Sequence, residues 1–385
     1  MKAGPRAAVA GLAASRIRDV AEAGRGIDGL IPLWFGEPDV VTPGFIRDAA
    51  KRGLDEGRTF YTPNLGTDPL RQAIAHYLGR LGRPVDAGRV CVTASGVNAL
   101  MLIGQALLGP GDRIVIPQPV WPNMEGIARV LGAEVAPVPL RLTNGRWSLD
   151  LDALFAAVTP ATRLLLLNAP GNPTGWMLTE PEQRAILEHC RRTGTWILAD
   201  DVYDRLTFDL PAAPSFLSIA TPEDRVVSVN SFSKSWAMTG WRLGWIVAPP
   251  TLMDALAKLT EFNMSSVPGF VQQAGIAALE EGEGFVAETV ARYRRARDLA
   301  QGMLADVPGL TVPVPDGAMY LFLQVEGCTD SLALAKSLLR SARVGLAPGS
   351  AFGLGGEGHL RLCFAQSEPL LAEACTRLAQ ALLHR

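Results

Sequence analysis

The chain has 385 residues, 36 lysines and arginines against 38 acidic residues, a formal net charge of −2 and 48% hydrophobic residues. That balance lacks the basic excess that grips a phosphate backbone, so nucleic acid is not an expected partner, and this much apolar content excludes a disordered chain. The length exceeds what one compact core serves, so one large and one smaller domain are expected.

The chain opens on Lys2, Arg6 and the small-residue stretch Ala7 to Ala14, followed directly by Arg16 and Arg18. Alanines are weakly apolar, so this reads as a frayed or docking N-terminal helix rather than a secretory leader. No apolar run approaches the roughly 18–20 residues that cross a bilayer; Leu164 to Leu167 is among the longest, so no membrane association is expected. Leu12 to Leu33, with Ile17, Val20, Ile27 and Leu30, is a candidate lid.

Short apolar strands then alternate with helical stretches. Strands are expected at Arg89 to Thr93, Arg113 to Ile116, Glu134 to Val138, Arg163 to Leu167, Thr195 to Ala199, Arg225 to Val229 and Trp241 to Val247. Unbroken apolar strands between amphipathic helices predict a mostly parallel, seven-stranded α/β sheet buried on both faces. Helix starts stand at Thr67-Asp68-Pro69 and Thr179-Glu180-Pro181-Glu182, where a capping residue precedes proline in the first turn. From about Thr251 the pattern turns helical, with Arg292, Arg294, Arg295 and Arg297 on one solvated side. Strands Ala318 to Val325 and His359 to Phe364, split by a helix over Ser331 to Ala342, predict a smaller α+β domain.

Cys91, Cys190, Cys328, Cys363 and Cys375 show no paired spacing and read as buried, reduced thiols, which points to the cytoplasm. His76, His189, His359 and His384 form no metal-binding pair, so no metal is expected.

Only five lysines occur: Lys2, Lys51, Lys234, Lys258 and Lys336. Lys2 is terminal, and Lys51, Lys258 and Lys336 lie in charged helical stretches. Lys234 differs, because it follows a buried strand among small hydroxyl residues in Ser231-Phe232-Ser233-Lys234-Ser235, where α/β sheets present ligands. Asp200 follows the apolar strand Thr195 to Leu198, so its carboxylate emerges at a strand end; Asp201 competes for that role. Ser95-Gly96-Val97-Asn98 opens a helix, where backbone N–H groups suit an anion, although a plain serine cap explains Ser95 as well. Arg361 lies in an apolar strand, where a guanidinium is costly without an anionic partner.

Ser231 to Arg242 resembles the cofactor-lysine signature of the pyridoxal-phosphate-dependent, fold-type I aminotransferases of class I/II. Gly36-Glu37-Pro38-Asp39, Tyr61-Thr62-Pro63, Asn168 to Gly175, Asp200 to Tyr203 and Arg361-Leu362 follow the same family's order, and six motifs in order are far more specific than any one. The resemblance implies an enzyme that moves an amino group between an α-amino acid and a 2-oxo acid in ping-pong fashion. It implies that Lys234 anchors pyridoxal 5'-phosphate and carries the proton, and that Asp200 holds the pyridine nitrogen protonated. Asn172 and Tyr203 would donate to the ring oxygen, and Trp121 would stack on the ring, although a packed core tryptophan is the competing reading. Ser95, Gly96, Val97, Ser231 and Arg242 would form the phosphate cup. Val97 stands where relatives often carry a hydroxyl or a lysine, and Gly171 where they often carry Asn or Ser. Arg361, with Gly36, Trp121 and Asn172, would hold the substrate and its α-carboxylate. Tyr61 would reach the phosphate of a neighbouring subunit, which implies a homodimer with shared sites. The implied division is an N-terminal segment 1–45 packed with the small domain, a cofactor-binding domain 46–280 and a small domain 281–385. The alternatives are another fold-type I chemistry, such as a β-lyase or synthase, and a non-catalytic cofactor-binding relative.

Overall fold

The computed structural model describes residues 4–383; Lys2 and His384 lie outside them. The central sheet has eight strands in the order Val90–Thr93, Gly244–Val247, Val226–Ser231, Trp196–Asp200, Thr162–Asn168, Arg113–Gln118, Glu134–Thr143 and Arg146–Leu149. The five strands from Val226–Ser231 to Glu134–Thr143 pair in parallel, while Gly244–Val247 runs antiparallel to both neighbours. Every residue of Trp196–Asp200 and Val226–Ser231 is buried, as strands covered on both faces by helices must be.

The eighth strand corrects the expected seven. Glu134–Thr143 runs on past Val138, turns at Asn144 (φ 51°) and Gly145 (φ 73°), and returns antiparallel as Arg146–Leu149. An Asn-Gly pair takes the two left-handed conformations that a two-residue hairpin requires, and it was the available signal.

Helix boundaries follow local chemistry. Thr179 and Glu182 close a capping box on the helix Glu180–Thr193, which Gly194 ends in the left-handed conformation (φ 75°). Helix Gly44–Asp55 packs against Gly269–Glu281 so closely that a Cβ on Gly53 would stand 3.0 Å from the Phe270 Cα.

The chain's two ends meet. Ile31–Pro32 pairs in parallel with Val344–Gly345, and a four-stranded antiparallel sheet contains Leu310–Thr311, Tyr320–Val325, His359–Cys363 and Ala347–Pro348. The helix Glu283–Leu304 does not present one solvated arginine face: Arg297 lies over the Phe208 ring, 4.4 Å from its centroid, and Arg292 pairs with Asp39. Ala7–Ala10 forms a short helix with no buried residue. The five cysteines are buried and none is joined in a disulfide, and no described helix is long and apolar enough to cross a membrane.

Candidate active site

Three neighbouring parallel strands end together: in the pairing register Asn168 stands beside Asp200, and Asp200 beside Val229. Their carboxyl ends open into a cleft of about 380 Å³ whose lining includes Asn168, Asn172, Asp200, Tyr203, Ser231, Lys234 and Arg361. Parallel strands emit their connecting loops at one edge, so residues distant in the chain converge there.

Lys234 sits in the single-turn helix Phe232–Ser235, which Ser231 caps and the buried Phe232 anchors. Lys51, Lys258 and Lys336 pair with Asp48, Asp254 and Asp19, whereas Lys234 has no carboxylate partner among the described residues. Its amine donates to the Gly36 carbonyl. Burial holds its pKa down at about 8, with the nearby Arg361 and Arg242 cations acting in the same direction. A half-buried amine that is easily deprotonated suits both imine formation and proton transfer.

Asp200 lies at the end of its strand, 4% exposed, its carboxylate accepting from the Val202 amide at 3.2 Å. Asp201 turns the other way, its Oδ2 accepting from Ser228 Oγ at 2.6 Å and Ser215 Oγ at 3.3 Å. Only Asp200 of the two lines the cleft. Burial raises its pKa to about 7. The folded protein therefore retains a proton that the unfolded chain releases between about pH 4 and 7, and stability falls as pH rises through that window. Asp200→Asn is expected to stabilise the cofactor-free protein by about 1–4 kcal/mol at pH 8 and by much less at pH 5. Urea unfolding at the two pH values measures this, and an equal gain at both would contradict it.

Arg361 is 2% exposed, with its guanidinium 4.4 Å from the Tyr320 ring centroid and 4.9 Å from that of Phe352. It donates to Asn172 Oδ1 at 2.7 Å and to the Trp34 carbonyl, while its Nε has no partner. The buried Arg83 pairs with Asp204, but Arg361 faces no carboxylate among the described residues. A desolvated, permanently charged fork with a donor to spare is built for an anion from outside. The bond to Arg361 also orients Asn172, whose backbone amide is held by Asn168 Oδ1 at 2.8 Å, leaving its side-chain NH₂ as the available donor.

Tyr203 and Tyr320 share a hydroxyl bond of 2.8 Å, and burial keeps the Tyr203 phenol neutral. Tyr320 also occupies the space at Gly36: a Cβ there would stand 1.7 Å from its hydroxyl. Gly36 lines the cleft as expected, and its missing side chain also makes room for Tyr320. Ser231 Oγ donates to Ser233 Oγ at 2.8 Å, and Arg242, in a left-handed conformation (φ 56°), extends to the exposed rim. Gly96 and Val97 line the cleft at the start of helix Gly96–Leu107. The Ser95 side chain does not line it, because its hydroxyl caps that helix by accepting from the Asn98 amide at 3.0 Å. Trp121 stands half-buried in the cleft wall, ahead of helix Pro122–Leu131. Tyr61 does not join the cleft of its own chain and is 89% exposed.

Residues 29–378 match the model of the family described as aminotransferase class I and II. The chain belongs to that family. It is 36% identical to an aspartate aminotransferase of Pyrococcus horikoshii, over 96% of this chain and 94% of that one. It is 38% identical to an arginine–pyruvate transaminase of Pseudomonas aeruginosa, over 91% and 89%. A Thermus thermophilus aspartate aminotransferase structure with maleate superposes with a TM-score of 0.90 at 31% identity, covering 99% of this chain and 100% of the other. Class I and II aminotransferases are pyridoxal-phosphate enzymes of fold type I, so this aminotransferase has the expected fold and enzyme class.

In this aminotransferase Ser233, Asn168, Val202, Tyr320 and Phe35 also line the cleft without having been singled out by the sequence, and Arg18 lines it from within the candidate lid segment. Ser233 and Val202 sit within recognised motifs and were within reach of it. Tyr320 and Arg18 lie in segments whose place beside the sheet edge depends on the tertiary fold. The proposed lid segment contributes Ser15, Ile17 and Arg18, with Ile17 and Val20 buried in the core.

Proposed function

We propose that this aminotransferase carries pyridoxal 5'-phosphate on Lys234 and runs both halves of a ping-pong amino transfer, from an α-amino acid and then to a 2-oxo acid, in the one cleft. The observation that carries this reading is the trio at its floor: a half-buried amine with no carboxylate partner among the described residues, a buried carboxylate and a buried arginine with an orphaned donor.

The residues fit the cofactor by charge. Arg242, Ser231, Ser233 and the first amides of helix Gly96–Leu107 would hold a phosphate dianion, with Ser95 shaping that helix start through its cap. Asp200, costly as a lone buried anion, would gain a protonated ring nitrogen as its partner. Asn172 and Tyr203 would donate to the ring oxygen, and Trp121 and Val202 would flank the ring. Bound there, the cofactor supplies an electron sink for the pair released when the Cα–H bond breaks.

The other steps belong to the chain's own side chains. Arg361 binds the substrate α-carboxylate and turns the Cα–H bond toward Lys234. Lys234 takes that proton at Nζ as a neutral amine and returns it on the opposite side of the reaction as an ammonium. Tyr203 and Tyr320 remain neutral throughout and keep the floor polar without adding charge.

A homodimer completes the proposal. Phe60, Tyr61 and Phe262 are 84%, 89% and 86% exposed, which favours cover by a second copy and leaves Tyr61 open to a role at a neighbour's phosphate. Buried cysteines outside any disulfide favour a cytoplasmic location, and the pairing of Ile31–Pro32 with Val344–Gly345 favours grouping 1–45 with 281–385 around a cofactor domain 46–280.

The purified protein, supplied with pyridoxal phosphate, should convert an amino donor to its 2-oxo acid only when 2-oxoglutarate, pyruvate or oxaloacetate is present as acceptor. Release of ammonia or a cleaved side chain without an acceptor would replace transfer with a lyase reaction.

A further inference from the structure

The rim of the cleft holds a cation that the proposed chemistry does not use. Among the lining residues Ser15, Arg18, Phe35, Asn123 and Arg242 are exposed, whereas Asp200 and Arg361 lie on the buried floor. If Arg242 serves a phosphate and Arg361 an α-carboxylate, Arg18 is left over. Its guanidinium has no carboxylate partner among the described residues and rests 5.9 Å from the centroid of the exposed Phe35 ring. The backbone that carries it is held in place: Ser15 accepts from the Arg18 amide at 3.3 Å, Ile17 and Val20 of the helix Arg16–Ala23 are buried, and Lys336 ties that helix through Asp19 at 2.8 Å.

Among the described residues no carboxylate lines the rim, and the only acidic lining residue is Asp200 on the floor. A substrate with a cationic end would bring that charge to Arg18 with no anion to receive it, and a neutral one would leave Arg18 without a partner. A substrate with a second carboxylate meets a forked donor, while Ile17, Phe35 and Trp121 cover the carbons between its two charged ends. We propose that Arg18 is a specificity-determining residue that reads the distal carboxylate, so that the acceptor is a 2-oxo diacid and the matching donor a dicarboxylic amino acid. This rests on the assignment of Arg361 to the α-carboxylate.

The test uses the full-length holoenzyme and two readouts. In kinetics, Arg18→Ala should lower the ratio of kcat/KM for 2-oxoglutarate to that for pyruvate by about tenfold or more, with part of the ratio restored in Arg18→Lys. In binding, followed by calorimetry, wild type should hold glutarate at least about tenfold more tightly than butyrate, and Arg18→Ala should remove most of that difference. An unchanged ratio in Arg18→Ala, or equal affinity of wild type for the two acids, overturns the proposal. The underlying assignment is tested separately by Arg361→Ala, which should weaken butyrate as well as glutarate. If butyrate is unaffected, the α-carboxylate site is misassigned even when Arg18 still discriminates.

Discussion

Lys234→Ala is expected to lower turnover by about 10⁴-fold or more, because it removes both the covalent anchor and the group that moves the proton. The variant should still bind pyridoxal phosphate through the charge-complementary cup, yet hydride reduction should label no peptide around position 234. A small primary amine in the buffer should recover part of the proton transfer, since the deleted side chain leaves space lined by Gly36 and Tyr203. Full activity, or a labelled peptide elsewhere, would remove Lys234 from the mechanism.

The same lysine sets a pH dependence. Its amine titrates at about 8 rather than the ordinary 10.5, burial being the main cause. Only the neutral form attacks an aldehyde. Capture of cofactor by the cofactor-free protein should therefore accelerate about tenfold per pH unit from pH 6 and level off above about pH 8. A solvated lysine would go on accelerating to beyond pH 10. Stopped-flow mixing of protein with pyridoxal phosphate across pH 6–10 separates the two profiles.

The second large effect belongs to Arg361. Arg361→Ala should lower kcat/KM for the amino acid by about 10²–10³-fold, the range observed when one partner of a desolvated, hydrogen-bonded charge pair is lost. Arg361→Lys keeps the charge but loses the planar fork and the packing between Tyr320 and Phe352, so it should restore only part of the loss. Because the side chain also holds Asn172 and the Trp34 carbonyl, thermal unfolding must accompany the kinetics. A variant that folds with near-wild-type Tm and keeps kcat/KM within threefold of wild type would show that the carboxylate is bound elsewhere.

These assignments were legible to different degrees. Lys234 was visible as the one lysine placed after a buried strand, and the structure lodges its amine in the cleft for that same topological reason. Arg361 was visible as a charge in an apolar strand; its aromatic bracket and orphaned Nε were not, because Tyr320 reaches it from the neighbouring strand and Phe352 from the helical turn Gly349–Phe352. For Ser95 the cap and the phosphate contact were both open, and the hydroxyl is committed to the Asn98 amide. Gly36 was read as room for a ligand; it lines the cleft, and only the packing shows that a side chain there would also collide with Tyr320. The eighth strand was missed although Asn144-Gly145 announces a hairpin, because Arg146–Leu149 alternates exposed and buried residues and lacks the unbroken apolar run of the central strands.

The residue order alone carried the alternation of buried strands and capped helices, and with it the edge of the sheet where chemistry would gather. Such signals act over a few neighbouring residues and survive in one dimension. Whether Asp200 or Asp201 enters the cleft, which hydroxyl faces Tyr203, and that Arg18 stands at the rim were settled only by packing. Each turns on contacts between segments far apart in the chain, such as Asp201 with Ser228, Tyr203 with Tyr320, and the Arg18 helix with Lys336, and burial then prices every charge by the partners it finds there.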